Sequence, residues 1–262
     1  MSMYKDILNF EDALSAKYKQ VFVEECELAC ELFDVFDEAN RIHLERWELE
    51  PERRATGELI NRTFNDLHAS LKLILEGLPA QALALLRDTI ECANHIKLFE
   101  EDSESREQWR KGKVFFPRDI QSKMKNLGIV PPQLNEDYKP LSRAYLHPSK
   151  IGVASHTVVY YSPEGVQSVQ FLYGGADDVY LMRSTILLAL GFIYKVTWFI
   201  WGDMYPLDKD THSQWYERLT KAGNRMLLLQ NKFKQEQLNY HIEQYTTVRK
   251  ILDDHLRLLR ND

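Results

Sequence analysis

Cysteine is scarce in this chain, with Cys26, Cys30 and Cys92 the only three among 262 residues. Three thiols cannot make a disulfide framework, and the opening Met1-Ser2-Met3-Tyr4-Lys5-Asp6 shows no charged-then-apolar leader, so a reducing cytoplasm is expected. No apolar run reaches the length of a bilayer span. The most apolar stretch, Ile186 to Trp201, is sixteen residues long with Lys195 inside it, whereas a span needs about twenty. A buried core helix is therefore expected there, and no membrane partner, with Lys195 running along the surface or paired with a carboxylate. A phosphate-binding glycine loop, a Gly-x-Ser-x-Gly elbow and a His-Glu-x-x-His helix are all missing, which removes the well-marked nucleotide-binding, hydrolase and zinc-protease classes. Fixed-period repeats and low-complexity tracts are missing too. Net charge is −6, so a protein built to coat DNA is not expected.

What is present is ordinary globular material, 44% apolar and 27% charged, arranged in helical periods. Tyr18, Phe22, Cys26, Ala29, Phe33, Phe36 and Trp47 keep one stripe inward and predict a single helix from about Glu11 to about Glu48, stopping before Pro51. A second helix should begin near Thr56-Gly57-Glu58 and run through Leu67 and Ile74 to Gly77-Leu78-Pro79, a stop glycine followed by a start proline. The third, carrying Ala82, Leu86, Thr89, Ala93, Ile96 and Phe99, would fold back on the second as a tight hairpin. Ser105 and Gln108 form a capping-box pattern for a fourth helix, interrupted or ended at Pro117 and resumed to Gly128. A short helix from about Glu136 to Leu146 leads into His147-Pro148.

Beyond that step the pattern changes. Two β-prone runs, 156–161 and 166–173, flank Ser162-Pro163-Glu164-Gly165 and predict one small inserted hairpin. Helix resumes from Asp177 and ends at Pro206. The last segment, about 212–260, is helical throughout, and from Gln214 to Arg260 it would be about 70 Å long. It either breaks near residue 236 or projects toward a partner. The expected fold class is thus all-α: one helical domain over 1–262, with long terminal helices that pack together or dimerise and a hairpin insertion near 156–173.

Chemistry-bearing residues are few. Cys26, Cys30 and Cys92 could share a soft metal only with short-spaced further ligands, and small core thiols are the favoured reading. Glu91 and His95 lie one turn apart, but no matching Glu and His pair completes a di-metal bundle pattern, so no metal and no cofactor are expected. Arg87 and Glu91 occupy consecutive turns of an otherwise apolar helix, and Arg143 and His147 lie one turn apart with Ser142 beside them. If the two elements pack together, these groups form a polar cluster in which a carboxylate tunes a histidine. The alternative is a structural network tying the loop after His147 to the bundle. Charge is uneven: residues 106–125 hold seven basic and two acidic side chains, while 24–58 hold twelve acidic and four basic. A basic stretch leading to an Arg and His pair suits a phosphate-handling site, although such runs also form solvated faces.

Leu85-Leu86-Arg87-Asp88-Thr89-Ile90-Glu91, with the later Leu141-Ser142 and His147-Pro148-Ser149, resembles a bacterial family of helical proteins of unknown function that share a Leu-Arg-x-x-x-Glu helix. That resemblance spans about residues 58–200 and points at Arg87, Glu91, Ser142 and His147 as ligand-binding positions, without implying a reaction. A looser likeness is to HEPN-type bundles, where an arginine and a histidine at a helix end cut RNA without a metal in a dimer. Here three residues separate Arg143 from His147, and Ala144 follows the arginine where a polar residue is usual. The expectation is a cytoplasmic, homo-oligomeric binding or regulatory module, in stress or phage defence by resemblance alone, whose cluster holds an anionic small molecule or a partner. The alternatives are a metal-independent ribonuclease acting on RNA through His147 and Arg143, and a purely structural homo-oligomeric scaffold.

Overall fold

A computed structural model describes the backbone of residues 3–47, 51–141, 157–161, 167–171 and 179–259, and the side chains of 6–43, 52–138, 141 and 179–239. The opening stripe forms two helices, α1 (Met3–Val21) and α2 (Val23–Trp47), instead of the expected one from Glu11 to Glu48. The interruption at Phe22 is slight. Phe22 donates its N–H to the Tyr18 carbonyl and Cys26 donates to the Phe22 carbonyl, both at 2.8 Å. At that point the Tyr18 and Phe22 rings stack 5.4 Å apart and are fully buried, so ring packing governs the junction.

After a 3-10 turn at Pro51–Arg53, α3 (Arg54–Leu75) and α4 (Pro79–Glu101) form the expected antiparallel hairpin. Gly77, at φ +80°, makes the turn. Its N–H donates to the Ile74 carbonyl at 2.9 Å and Leu78 donates to the Leu73 carbonyl at 2.8 Å, which satisfies carbonyls the helix end would otherwise leave open. Pro79 then starts α4, where its missing N–H costs nothing. The fourth helix differs from expectation at both ends. Asp102, not Ser105, caps α5 (Ser103–Arg110), accepting from the Glu104 N–H at 3.2 Å, because its carboxylate reaches the first turn while Ser105 turns inward and donates to Asp102. The helix ends at Arg110, well before Pro117, which instead opens α6 (Pro117–Asn126).

The segment expected as a helix from Glu136 to Leu146 begins as a 3-10 turn, Gln133–Asp137, continued by α7 (Tyr138–Leu141); its remainder lies outside the described residues. Further on, β1 (Thr157–Tyr161) and β2 (Gln167–Phe171) run antiparallel at the backbone level with Val159 opposite Val169, but the all-α class rests on the helices, not on these ten residues. Then α8 (Val179–Thr197) enters the centre of the bundle against α2, α3 and α4, and continues as a π-helical turn, Trp198–Met204. The helical element Val179–Met204 is longer than the sixteen-residue run read from the sequence and by length and composition alone could cross a membrane, yet its side chains from Met182 to Trp201 are mostly buried inside the bundle. Of the two alternatives for Lys195, pairing with a carboxylate is the one observed: its ammonium meets Asp137 at 2.8 Å and stands 5.8 Å from the Phe192 ring centre.

The last helix, α9 (Ser213–Leu259), is continuous, so of the two alternatives the break near residue 236 does not occur. Its first half buries Trp215, Leu219, Ala222, Met226, Leu229 and Phe233 along one stripe. Basic groups beside that stripe answer the acidic stretch on α2. Arg225 meets Glu27 at 2.9 Å, Lys232 meets Glu24 at 3.1 Å, and Arg218 pairs with Glu38. Arg183 on α8 reaches both ways, to the almost fully buried Glu25 at 2.7 Å and to Glu236 at 2.6 Å, and so fastens three helices together.

Candidate functional site

The helix α4 carries the polar side chains Arg87, Asp88, Glu91, Asn94 and His95 within three turns. Arg87 and Glu91, one turn apart, make the ion pair their spacing dictates. A third group joins them from forty-seven residues away: the Tyr138 hydroxyl donates to Glu91 Oε1 at 3.2 Å, and the Arg87 guanidinium lies over the Tyr138 ring at 5.3 Å. Burial raises the Tyr138 pKa, which keeps its hydroxyl protonated as a donor at neutral pH. One turn along, Asn94 and Asn135 exchange amide hydrogen bonds of 2.7 and 2.8 Å. The chain that leads toward His147 is thus fastened along α4 as far as the buried Leu141. Ser142, Arg143 and His147 themselves lie outside the described residues. The structure therefore joins Arg87 with Glu91 and brings the approach to the His147 segment beside them.

Tyr138 and Asn135 were not visible as site residues in the sequence. Their partners come from tertiary packing alone, and neither stands at helical spacing from Arg87 or Glu91.

On the other flank of Glu91, a cleft of about 430 Å³ opens between α3, α4 and the loop joining α5 to α6. Its aromatic wall is organised by the fully buried Phe99: Trp109 packs on it at 5.6 Å, Phe115 at 6.4 Å and His95 at 5.6 Å. Gly112, at φ +88°, turns the chain after α5 so that Lys113 to Phe115 return over the cleft. Across the mouth, Arg62 of α3 donates to Asp88 of α4 at 2.8 Å. Asp66, one turn from Arg62, has its carboxyl raised above the usual range by burial and by the neighbouring Asp88 charge, with Arg62 opposing.

His95 is the chemically distinctive member. Its Nδ1 lies 2.8 Å from the Glu91 carbonyl oxygen, and a carbonyl only accepts, so Nδ1 carries the proton. Burial lowers the imidazole pKa, and the Arg62 charge adds to this, although the bond to the carbonyl works the other way. The ring is therefore neutral at pH 7, which leaves Nε2 as an acceptor.

Nearby Cys92 is buried, and burial pushes its thiol up to about 12, so it is a core group and not a nucleophile. Cys26 and Cys30 sit on α2 with each other for company, and burial raises the Cys26 thiol as well. Among the described residues no three His, Cys, Asp or Glu side chains gather as metal ligands would. Of the basic stretch 106–125, Arg106 donates to the Phe99 carbonyl at 3.1 Å, Lys123 donates to Ser105 at 2.8 Å and Arg110 meets Glu107, so a good part of that charge holds α5 and α6 in place.

Compared with known proteins, the chain matches no family model, no curated protein and no solved structure. Fold and site therefore define it as an all-helical protein with a polar cluster and an aromatic cleft on one central helix.

Proposed function

We propose that this protein is a helical binding or regulatory module in which Arg87 and Glu91, with the segment carrying Ser142, Arg143 and His147, hold an anionic ligand or lock a partner. The observation that supports this reading is the Tyr138 hydrogen bond to Glu91, which lays the approach to His147 along the face of α4 where the arginine is. Glu91 neutralises one side of Arg87, while the Arg87 Nε is buried and lacks a partner among the described residues, a donor that an anion would satisfy. The resemblance to bacterial helical proteins, a cytoplasmic and homo-oligomeric state, and a hairpin near 156–173 following the His147 segment belong to the same proposal.

Thermal denaturation with inorganic phosphate tests it. The wild-type chain should be stabilised in proportion to phosphate concentration. Arg87→Gln and His147→Ala should each lose that response, whereas Tyr138→Phe should cost about 1 kcal/mol of stability and weaken it only partly. A phosphate response identical in all four proteins overturns the reading. Cleavage of an RNA oligonucleotide that His147→Ala abolishes without lowering the melting temperature would replace it with the ribonuclease, with His147 as general acid or base and Arg143 against the charge building on phosphate.

A further inference from the structure

The cleft beside α4 is lined by side chains that are all described. We propose that it binds a small planar aromatic anion that also carries one N–H or O–H donor, with Trp109 and Phe115 against the ring, His95 Nε2 accepting the donor and Lys113 meeting the negative charge. A volume of about 430 Å³ suits a ligand of this size.

Ligand chemistry follows from what each wall group has left after its internal bonds. Asp88 is held by Arg62 at 2.8 Å, and Glu91 by Arg87 and Tyr138, so both carboxylates of the cleft already have cations or donors. Lys113 meets no carboxylate among the described residues: its ammonium donates to the neutral Gln108 amide oxygen at 2.8 Å and stands 5.1 Å from the Phe115 ring centre. The cleft therefore carries an uncompensated positive charge on its rim. At its floor His95 offers an acceptor and no donor, because Nδ1 is committed to the Glu91 carbonyl. Such a nitrogen is satisfied by an incoming N–H or O–H and left wanting by a purely apolar ligand. The aromatic wall is pre-formed, since Trp109, Phe115 and His95 all pack on the same buried Phe99 ring and need not reorganise to receive a flat body. Burying aromatic surface supplies the affinity, and the two polar groups supply the choice among ligands.

The proposal does not rest on the reading of the His147 segment, and its test leaves that segment untouched. Isothermal titration of the full chain with indole-3-acetate, indole-3-acetamide and tryptamine compares an anion, a neutral amide and a cation on one ring bearing one N–H. Indole-3-acetate should bind at one site per chain, about fivefold more tightly than tryptamine. Lys113→Gln, on an exposed side chain, should erase that preference while leaving the amide unaffected. His95→Ala should weaken all three about fivefold, and 1-methylindole-3-acetate, which lacks the N–H, should bind His95→Ala and wild type alike. The proposal is overturned by an absence of saturable binding, by equal affinity for the three compounds, or by binding that Lys113→Gln and His95→Ala leave unchanged. Should His95→Ala unfold, Lys113→Gln and the methylated compound still decide the matter.

Discussion

His95 shows how much of one side chain's role is decided by its three-dimensional surroundings. Its spacing from Glu91 is that of two metal ligands on a helical face, but the ring turns Nδ1 to the Glu91 carbonyl while it lines the cleft. Because folding lowers its pKa from 6.5, the unfolded chain takes up a proton that the native protein resists. Stability is thus complete above the ordinary histidine value and declines as pH falls through it toward the lower folded value. A melting temperature followed from pH 8 to pH 5 should drop, and His95→Asn should flatten that drop. An unaltered pH profile in the variant would place the titration elsewhere. Arg87 and Glu91 were legible beforehand, since four-residue spacing on a helix nearly forces the contact. Their companion Tyr138 was not, because its position depends on how a distant 3-10 turn packs on α4.

Among the elements, the α3–α4 hairpin was written most openly, since Gly77 and Pro79 signal stop and start within three residues. Replacing Gly77, which holds φ +80°, with alanine should cost about 1–2 kcal/mol and leave the fold unchanged, as denaturant titration can measure. The start of α5 was misjudged because Ser105 and Gln108 fit a capping box as well as Asp102 fits a simple cap, and only burial of Ser105 separates the two. Similarly, the stripe on α9 changes phase after Phe233, which in sequence looks like a break. The backbone nevertheless stays helical through that change of phase, because a shift of the apolar stripe around a helix requires no interruption of its hydrogen bonding.

For the molecule as a whole, the uneven charge seen in the sequence proves to be partly an internal arrangement. Glu24, Glu25, Glu27 and Glu38 of α2 are answered by Lys232, Arg183, Arg225 and Arg218, so this part of the acidic stretch serves to attach helices. Each exposed pair is worth at most about 1 kcal/mol, and the apolar stripe from Trp215 to Phe233 carries the attachment of α9. From Asn239 onward roughly 30 Å of α9 extends past that stripe. If homo-oligomerisation uses this extension, a chain ending at Asn239 keeps the Arg183–Glu236 contact yet should run at monomer mass in light scattering, with its melting temperature within a few degrees of the parent. A full-length chain that is itself monomeric at micromolar concentration would refute the oligomer.

The arginine that ties Glu25 to Glu236 brings together stretches 158 and 53 residues away along the chain. Closing loops of that size carries a large entropic cost, so this junction is expected to form late, after the surrounding helices have assembled. Replacing Arg183 with methionine should therefore hasten unfolding in stopped-flow measurements while leaving the refolding rate nearly as it was. The clasp would govern how long the native state lasts, not how quickly it is reached.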